Sequence, residues 1–484
     1  MEKIFKKGKL LTIVYVILSI LFVLPSIFYL IQNKTVFKFS MWFKFFLSES
    51  NIELQTVTYI VLLVLITFLY IMIIKNRKEI FKNIKSVLKY VLIIGIIYIF
   101  AIPFTSSDVF YYMGVGRIDS NYNQNPYYST IRQYVENNEN KLNELENDTV
   151  LMEGNLNVWA DTTVVYGPIW QLVCKGVGFL SFGNVDIGLL IFKILALIVH
   201  IINCWLIYKV TGKKIFAIIY GLNPFVLLEG IMCVHNDLFV VMFTLFSLYF
   251  MKKKKLWISM VFLALATAIK YFSILLLPFI IIYYFRKEKV SIRTLNGIKY
   301  GFIFLCTLIL PYLLYVQDIN VLAGMATQQG KIANSIYLFV LEYFPTIPVG
   351  VLSTLLLQIF AILYFFRCLI ILFKDKIKFN ELIRKYTMYL IMFIFILITQ
   401  FQPWYLLWLM PIFMWQKSNM VKVLIAIGII AEFANAVYIL NGEYYIYGIA
   451  FIFILYMGTL IYALSMERQS FKRKIKCFGK NLLK

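Results

Sequence analysis

A carboxylate flanked by aromatic residues at the end of a long apolar run can serve as a general base, because partial desolvation raises its basicity. Asp108 has that setting. It follows the apolar run that ends at Pro103, with Phe104, Phe110, Tyr111 and Tyr112 as sequence neighbours. The chemistry would be removal of a proton from an acceptor hydroxyl. Ser106, Ser107 and Asp108 also precede an apolar helical stretch, so a helix N-cap fits the local sequence equally well.

Phosphate-binding candidates follow. Lys270 sits between two short apolar runs, where a charge is expensive and is by default functional. It suits the phosphate of a lipid carrier as a point charge, against the plainer reading of snorkelling to an interface. Arg117 and Lys193 are weaker candidates for the same role. His235, with Asn236 and Asp237, lies where one apolar run ends and the next begins; His235 suits a phosphate or a sugar hydroxyl, against a turn with an N-cap. His200 sits within an apolar run and reads as core. Sugar or acceptor contacts are assigned to Asn236, Asp237, Tyr112, Asn125, Tyr166, Glu229, Gln402, Trp404 and Tyr405; Glu229 and Glu432 lie in or near the ends of spans, where pairing with a Lys or Arg is the alternative to binding sugar hydroxyls. Trp408 reads as an interfacial belt residue. His235, Asp237 and Asp108 make a thin ligand set, so no metal and no cofactor are expected. The sequence carries no phosphate-cradling glycine loop and no dinucleotide fingerprint, which points to a donor already carried by a lipid.

These residues need a scaffold, and composition identifies its class. The 484-residue chain is 61% hydrophobic with a mean hydropathy of +0.80, more apolar surface than a soluble fold of this size covers. Runs of about 15–25 nearly uncharged residues match a hydrocarbon core of about 30 Å. The expected fold is all-α and polytopic, with about fourteen transmembrane helices (12–14). The net charge of +23 does not mark a nucleic-acid binder, because Lys and Arg cluster between apolar runs, as in cytoplasmic loops. Most of the six cysteines fall in apolar runs and read as core.

Spans are expected at about 10–31, 55–74, 88–104, 187–208, 214–232, 236–251, 256–269, 272–285, 298–316, 348–373, 386–400, 404–416, 420–440 and 446–466. The resulting divisions are N-terminal spans (1–104), a large external loop after the third span (105–186), a transmembrane core (187–466) and a basic tail (467–484). Both termini then face the cytoplasm of a plasma-membrane protein. Residues 105–186 hold ten acidic and four basic side chains, a balance that suits the outer side. The Asn- and Glu-rich run from Glu136 to Asp148 reads as a solvated excursion. Residues 167–182 read as an amphipathic helix lying in the outer interface, which keeps the later basic clusters inside. On this topology the Asp108 loop, the CVHND turn (233–237), the break at Lys270 and the QFQPWYLLW segment (400–408) converge on one membrane face.

The set SSDVFYYMGVGR (106–117), NPYY (125–128), YGPIW (166–170), NPFVLLEGIMCVHND (223–237), AIKYFSILLLPF (268–279) and QPWYLLWLMP (402–411) resembles the GT-C class of membrane glycosyltransferases. Within it, the set is most similar to bacterial polyprenyl-phosphate-mannose-dependent mannosyltransferases. The resemblance implies transfer of a hexose, usually mannose, from a polyprenyl-phosphate carrier to a glycolipid or cell-envelope glycan outside the membrane, with inversion. It implies Asp108 as base, Asn236 and Asp237 as the later external pair, and Lys270 at the leaving phosphate, with His235 or Arg117 assisting.

Two features depart from the common pattern of that class: two spans precede the one leading to Asp108, and residues 136–153 look inserted. Both bear on the acceptor. A polysaccharide polymerase or ligase is an alternative, disfavoured because the large loop is early and acidic. A lipid-linked glycan transporter or flippase is another, disfavoured because no internal repeat is evident.

Overall fold

The computed structural model describes residues 2–38, 52–327, 331–333, 335–374, 376–415, 422–423, 425–433 and 458. Its principal helices are α1 (Glu2–Asn33), α2 (Ile52–Lys75), α3 (Ile84–Ile99), α4 (Asp108–Asn121), α5 (Thr149–Leu156), α6 (Pro168–Leu180), α7 (Val185–Thr211), α8 (Lys214–Gly221), α9 (Asp237–Lys252), α10 (Leu256–Thr267), α11 (Leu277–Phe285), α12 (Val290–Ile309), α13 (Val349–Leu372) and α14 (Phe379–Met392). Short helical turns fill the connections. Among the described residues the sole β contact is an isolated parallel bridge between Ala333 and Gln400.

Among the described residues, five segments are long and apolar enough to cross a bilayer: Gly8–Asn33, Thr56–Lys75, Val185–Thr211, Val290–Leu314 and Val349–Leu372. A sixth candidate is the pair Lys214–Gly221 and Val226–Met232, bent by 65°. Within the apolar windows of Val290–Leu314 and Val349–Leu372 only 6% and 11% of residues are buried. Helices apolar on every face and packed on almost none need a lipid solvent, so this is a helical membrane protein.

The expected count of about fourteen spans is not reached among the described residues. The reason lies in the breaks. The short spans expected at 256–269 and 272–285 are the helical segments Leu256–Thr267 and Tyr271–Phe285, each below the length that crosses a bilayer. The run at 386–400 leaves α14 through a π turn and becomes extended by Ile398. The run at 404–416 consists of 3-10 turns. The expected span at 420–440 is described only at 422–423 and 425–433, and the span at 446–466 and the tail at 467–484 lie largely or wholly outside the described residues.

Residues 105–186, expected as a loop, fold into short packed helices. α6 has 13 residues, about 20 Å of helix, too short to span a bilayer. It buries Trp170, Gln171, Cys174, Val177 and Gly178 on one side. That side lies directly on α4: a Cβ at Gly116 would stand 2.0 Å from the Cys174 carbonyl, and one at Gly178 2.4 Å from the Gly116 carbonyl carbon. Only glycine permits this approach. The Glu136–Asp148 run is largely exposed, yet Leu145 and Asp148 are buried. Asp148 anchors the run by capping α5 through Leu151 N.

Candidate active site at the head of α4

Asp108 is the first residue of α4, with Ser107 at the cap position making no side-chain cap bond. The N-cap reading of Asp108 therefore does not hold. Its carboxylate turns away from the helix backbone: Oδ1 accepts from Trp159 Nε1 at 3.2 Å and Oδ2 from the Tyr112 hydroxyl at 3.4 Å. Tyr112 lies one helical turn along and is fixed edge-on by Trp170 at 5.2 Å, so the contact between α4 and α6 aims its hydroxyl. Trp159 is fixed through Asn157, whose Nδ2 donates to the Ser107 carbonyl at 2.8 Å. Burial pushes the Asp108 carboxyl up from its ordinary value, with the charges of His235 and Lys270 opposing.

Asp108 lines a cavity of about 430 Å³. Its walls come from distant parts of the chain: Trp159 and Tyr166 before α6, Lys270 and Phe272 after α10, and Gln402 to Trp408. Backbone pairing explains one juxtaposition. Gly167 N donates to the Ile269 carbonyl and Ile169 N to the Ala268 carbonyl, both at 3.1 Å. A Cβ on Gly167 would meet Ala268 O at 2.2 Å. This seam sets Lys270 Nζ 5.8 Å from the Tyr166 ring. The same ammonium is 4.7 Å from the Tyr405 ring and 5.4 Å from Trp408. It pairs with Asp237 Oδ1 at 2.7 Å. Snorkelling does not describe a side chain that is 12% exposed and enclosed by three rings.

The CVHND turn supplies the other half of the site. It follows a π-helix at Val226–Met232, a local widening that often marks functional positions. Val234 is left-handed, with φ 58°, a conformation that strains a β-branched residue by about 1–3 kcal/mol. The turn directs His235 inward, between Glu229 (Nε2 to Oε2, 3.0 Å) and Asp108 (Nδ1 to Oδ2, 3.8 Å). Trp404 stacks flat on the imidazole at a centroid distance of 4.0 Å. Asp237 starts α9, but its Oδ1 serves Lys270 and Trp408 Nε1, not a cap.

The sequence candidates therefore separate. Asp108, Lys270, Tyr166, Gln402, Trp404 and Tyr405 line the cavity. Tyr112 touches Asp108 from behind, and Asp237 holds Lys270. His235 and Glu229 are fully buried, with Trp404 between the imidazole and the cavity. Asn236 is also fully buried, and neither amide atom finds a hydrogen-bond partner among the described residues. Arg117 lies elsewhere: Nε pairs with Asp148 at 2.5 Å and Nη1 donates to the Gly178 carbonyl. Asn125 donates to the Tyr315 carbonyl at 2.6 Å. Lys193 Nζ donates to the carbonyls of Ala101 and Met232, tying the end of α3 to the π-helix. Glu432 accepts from the Tyr59 hydroxyl at 2.8 Å.

Three participants escaped sequence reading. Trp159 lies just past the 136–153 stretch that looked inserted, and nothing in its local pattern signals a contact with Asp108. Trp408, read as a belt residue, is 5% exposed and stacks on Phe272 at 3.6 Å. Cys233, read as core, places its sulfur 2.9 Å from Thr105 Oγ1. Glu229, Cys233 and His235 bring their donor atoms within 4.8 Å of one another. The thiol is engaged by Thr105, and the Lys193 ammonium is fixed on the neighbouring Met232 carbonyl.

No curated protein and no solved structure matches this chain. A family model described as alpha-(1->6)-mannopyranosyltransferase, N-terminal domain, matches residues 18–286. That stretch holds α4, α6, the CVHND turn and Lys270. Covering more than half of the 484 residues, the match shows that the chain belongs to the alpha-(1->6)-mannopyranosyltransferase family and is a membrane-embedded glycosyltransferase of the mannosyltransferase type.

Proposed function

We propose that the protein transfers mannose from a polyprenyl-phosphate carrier to a hydroxyl of a glycolipid or cell-envelope glycan, with inversion, at a site facing the outer side of the plasma membrane. The observation that carries this reading is the cavity in which a buried carboxylate, Asp108, and an enclosed ammonium, Lys270, line one aromatic-walled space. Asp108 takes the acceptor proton as its oxygen attacks the anomeric carbon. The bond from that carbon to the phosphate breaks, and the phosphate leaves with the electron pair. Lys270 stabilises the developing phosphate charge from a fixed position, where little reorganisation is needed. Trp404 and Tyr405 give the sugar flat apolar faces, and Gln402 offers a buried amide for its hydroxyls.

The raised carboxyl of Asp108 suits this step, because a more basic carboxylate is a better proton acceptor. Inversion with an α product requires a β-linked donor, and a 1→6 linkage requires a primary hydroxyl as nucleophile. The test uses purified protein in lipid nanodiscs, supplied with β-mannosyl polyprenyl phosphate and a membrane lipid extract. The expected product carries a new α-1,6-mannosyl residue by NMR. Retention of the β configuration, or transfer from a soluble nucleotide sugar instead, would refute the reading.

A further inference from the structure

His235 is placed for something other than phosphate binding. It is fully buried, and Trp404 lies flat between its ring and the cavity. A phosphate in the cavity would meet the indole first. The imidazole instead stands between two carboxylates, Glu229 at 3.0 Å from Nε2 and Asp108 at 3.8 Å from Nδ1, at ion-pair distances but with neither nitrogen in hydrogen-bond geometry among the described residues. We propose that His235, oriented by Glu229, is a positioning residue that receives the proton collected by Asp108 and so returns the base to its ionised form after each transfer. This rests on the mannosyl-transfer reading for the source of the proton.

Glu229 beside Nε2 favours the proton on that nitrogen, which leaves the Nδ1 lone pair facing Asp108. When the acceptor O–H breaks, its proton joins an Asp108 oxygen. That Oδ–H then donates to Nδ1, the proton crosses, and the imidazolium carries its charge between two carboxylates until the proton returns by way of Asp108 to the departing phosphate monoester, which leaves His235 neutral and Asp108 ionised for the next transfer. The 3.8 Å gap is longer than a hydrogen bond, and an approach of under about 1 Å closes it, as unliganded catalytic contacts commonly require. The stacked Trp404 holds the ring plane meanwhile. The arrangement shares its logic with a triad in which a carboxylate fixes an imidazole's tautomer, except that here the carboxylate Asp108, not the imidazole, faces the substrate.

Other groups face this pair. Tyr111 and Tyr112 of α4, Tyr166, Lys270 and Asp237 surround Asp108. Cys233 shares the His235 pocket with Glu229. Lys270 is already paired to Asp237, so within this group the His235 imidazole is the base placed to take the Asp108 proton.

The experiment compares wild type, His235→Gln and Glu229→Gln in nanodiscs by donor KM, kcat, pH–rate profile and infrared titration of the Asp108 carboxyl. Asp108→Asn assigns the infrared band. The expected result is a kcat lower by roughly a hundredfold for His235→Gln, a donor KM close to wild type, and an acidic limb moved to higher pH. The Asp108 band should shift the same way. Glu229→Gln should move both in the same direction by less, and it preserves shape if His235→Gln fails to fold. A raised donor KM with unchanged kcat and pH profile would make His235 a phosphate ligand and overturn the proposal. So would an Asp108 band that titrates identically in all three proteins. The infrared readout needs no turnover, so a wild type inactive with polyprenyl-phosphate mannose would refute the donor reading and still leave this inference tested.

Discussion

The two ends of α4 handle buried charge in opposite ways. At the far end Arg117 pairs with Asp148 at 2.5 Å and Asp119 pairs with Lys175 at 2.6 Å, while Gln171 and Tyr315 also donate to Asp119. Each carboxylate there has a cation. At the near end Asp108 has, among the described residues, only an indole and a phenol as hydrogen-bond donors, with His235 at 3.8 Å. Asp237 and Glu229 crowd the same region, where the nearest ammonium, Lys270, is already engaged. A satisfied end holds the fold; an end left short of compensating charge retains reactivity.

Substitutions can break or sharpen that contrast. The largest effect is expected from Asp108→Asn, which should lower transfer by 10²–10⁴-fold, the usual range for a lost general base, measured as product formed in nanodiscs. It should also stabilise the protein. With the folded carboxyl raised above its ordinary value of about 3.9, ionising it works against folding as pH rises through the folded value. The variant should therefore melt above wild type at alkaline pH, with the gap closing on acidification. A variant melting below wild type at alkaline pH would place Asp108 with the satisfied charges.

Lys270→Gln should come next, with a loss of about 10²–10³-fold in kcat as stabilisation of the leaving phosphate disappears. It leaves Asp237 buried without its cation, so Asp237→Asn combined with it should restore expression and melting temperature but not turnover. Recovery of turnover in the double variant would reduce Lys270 to a structural partner.

At the far end the effect should be on stability. Arg117→Met removes one member of a buried pair and should destabilise by about 3–5 kcal/mol, read as a lower melting temperature. Transfer per folded molecule should remain near wild type. A folded variant with a raised donor KM would return Arg117 to the phosphate-binding role the sequence suggested.

The smallest effect is expected from Trp408→Phe. It keeps a ring to stack on Phe272 and Tyr405 and deletes the indole N–H that donates to Asp237. A net loss of about 1.5–3 kcal/mol in local stabilisation follows from a hydrogen bond to a charged group. It should register as a modest rise in donor KM.

The sequence made the near end largely legible. A carboxylate after an apolar run, a lysine interrupting another and a polar turn in a third are local anomalies in an apolar chain. The structure brings the first two, with the 400–408 segment, into the wall of one cavity and packs the turn behind Trp404 and Lys270. What the sequence concealed was partnership. Arg117 and Lys270 look alike as isolated cations, and only tertiary contact shows that one meets Asp148 and the other lines the cavity beside Asp237. Trp159 escaped because an indole donor has no sequence signature. Span counting failed for a related reason. Apolar composition continues through Lys270 and through 393–408, while the backbone breaks there into turns that form the cavity wall. The Glu136–Asp148 run shows the converse, since a polar composition concealed the buried Asp148 that fixes Arg117.

The most direct test of the central claim is single-turnover mannosyl transfer by wild type and Asp108→Asn, with donor already bound, across acidic to alkaline pH. The account predicts a wild-type rate that rises with pH through the elevated Asp108 titration and then levels, and a variant that binds donor normally yet shows no such rise and little product. A variant retaining wild-type rate and pH dependence would contradict it.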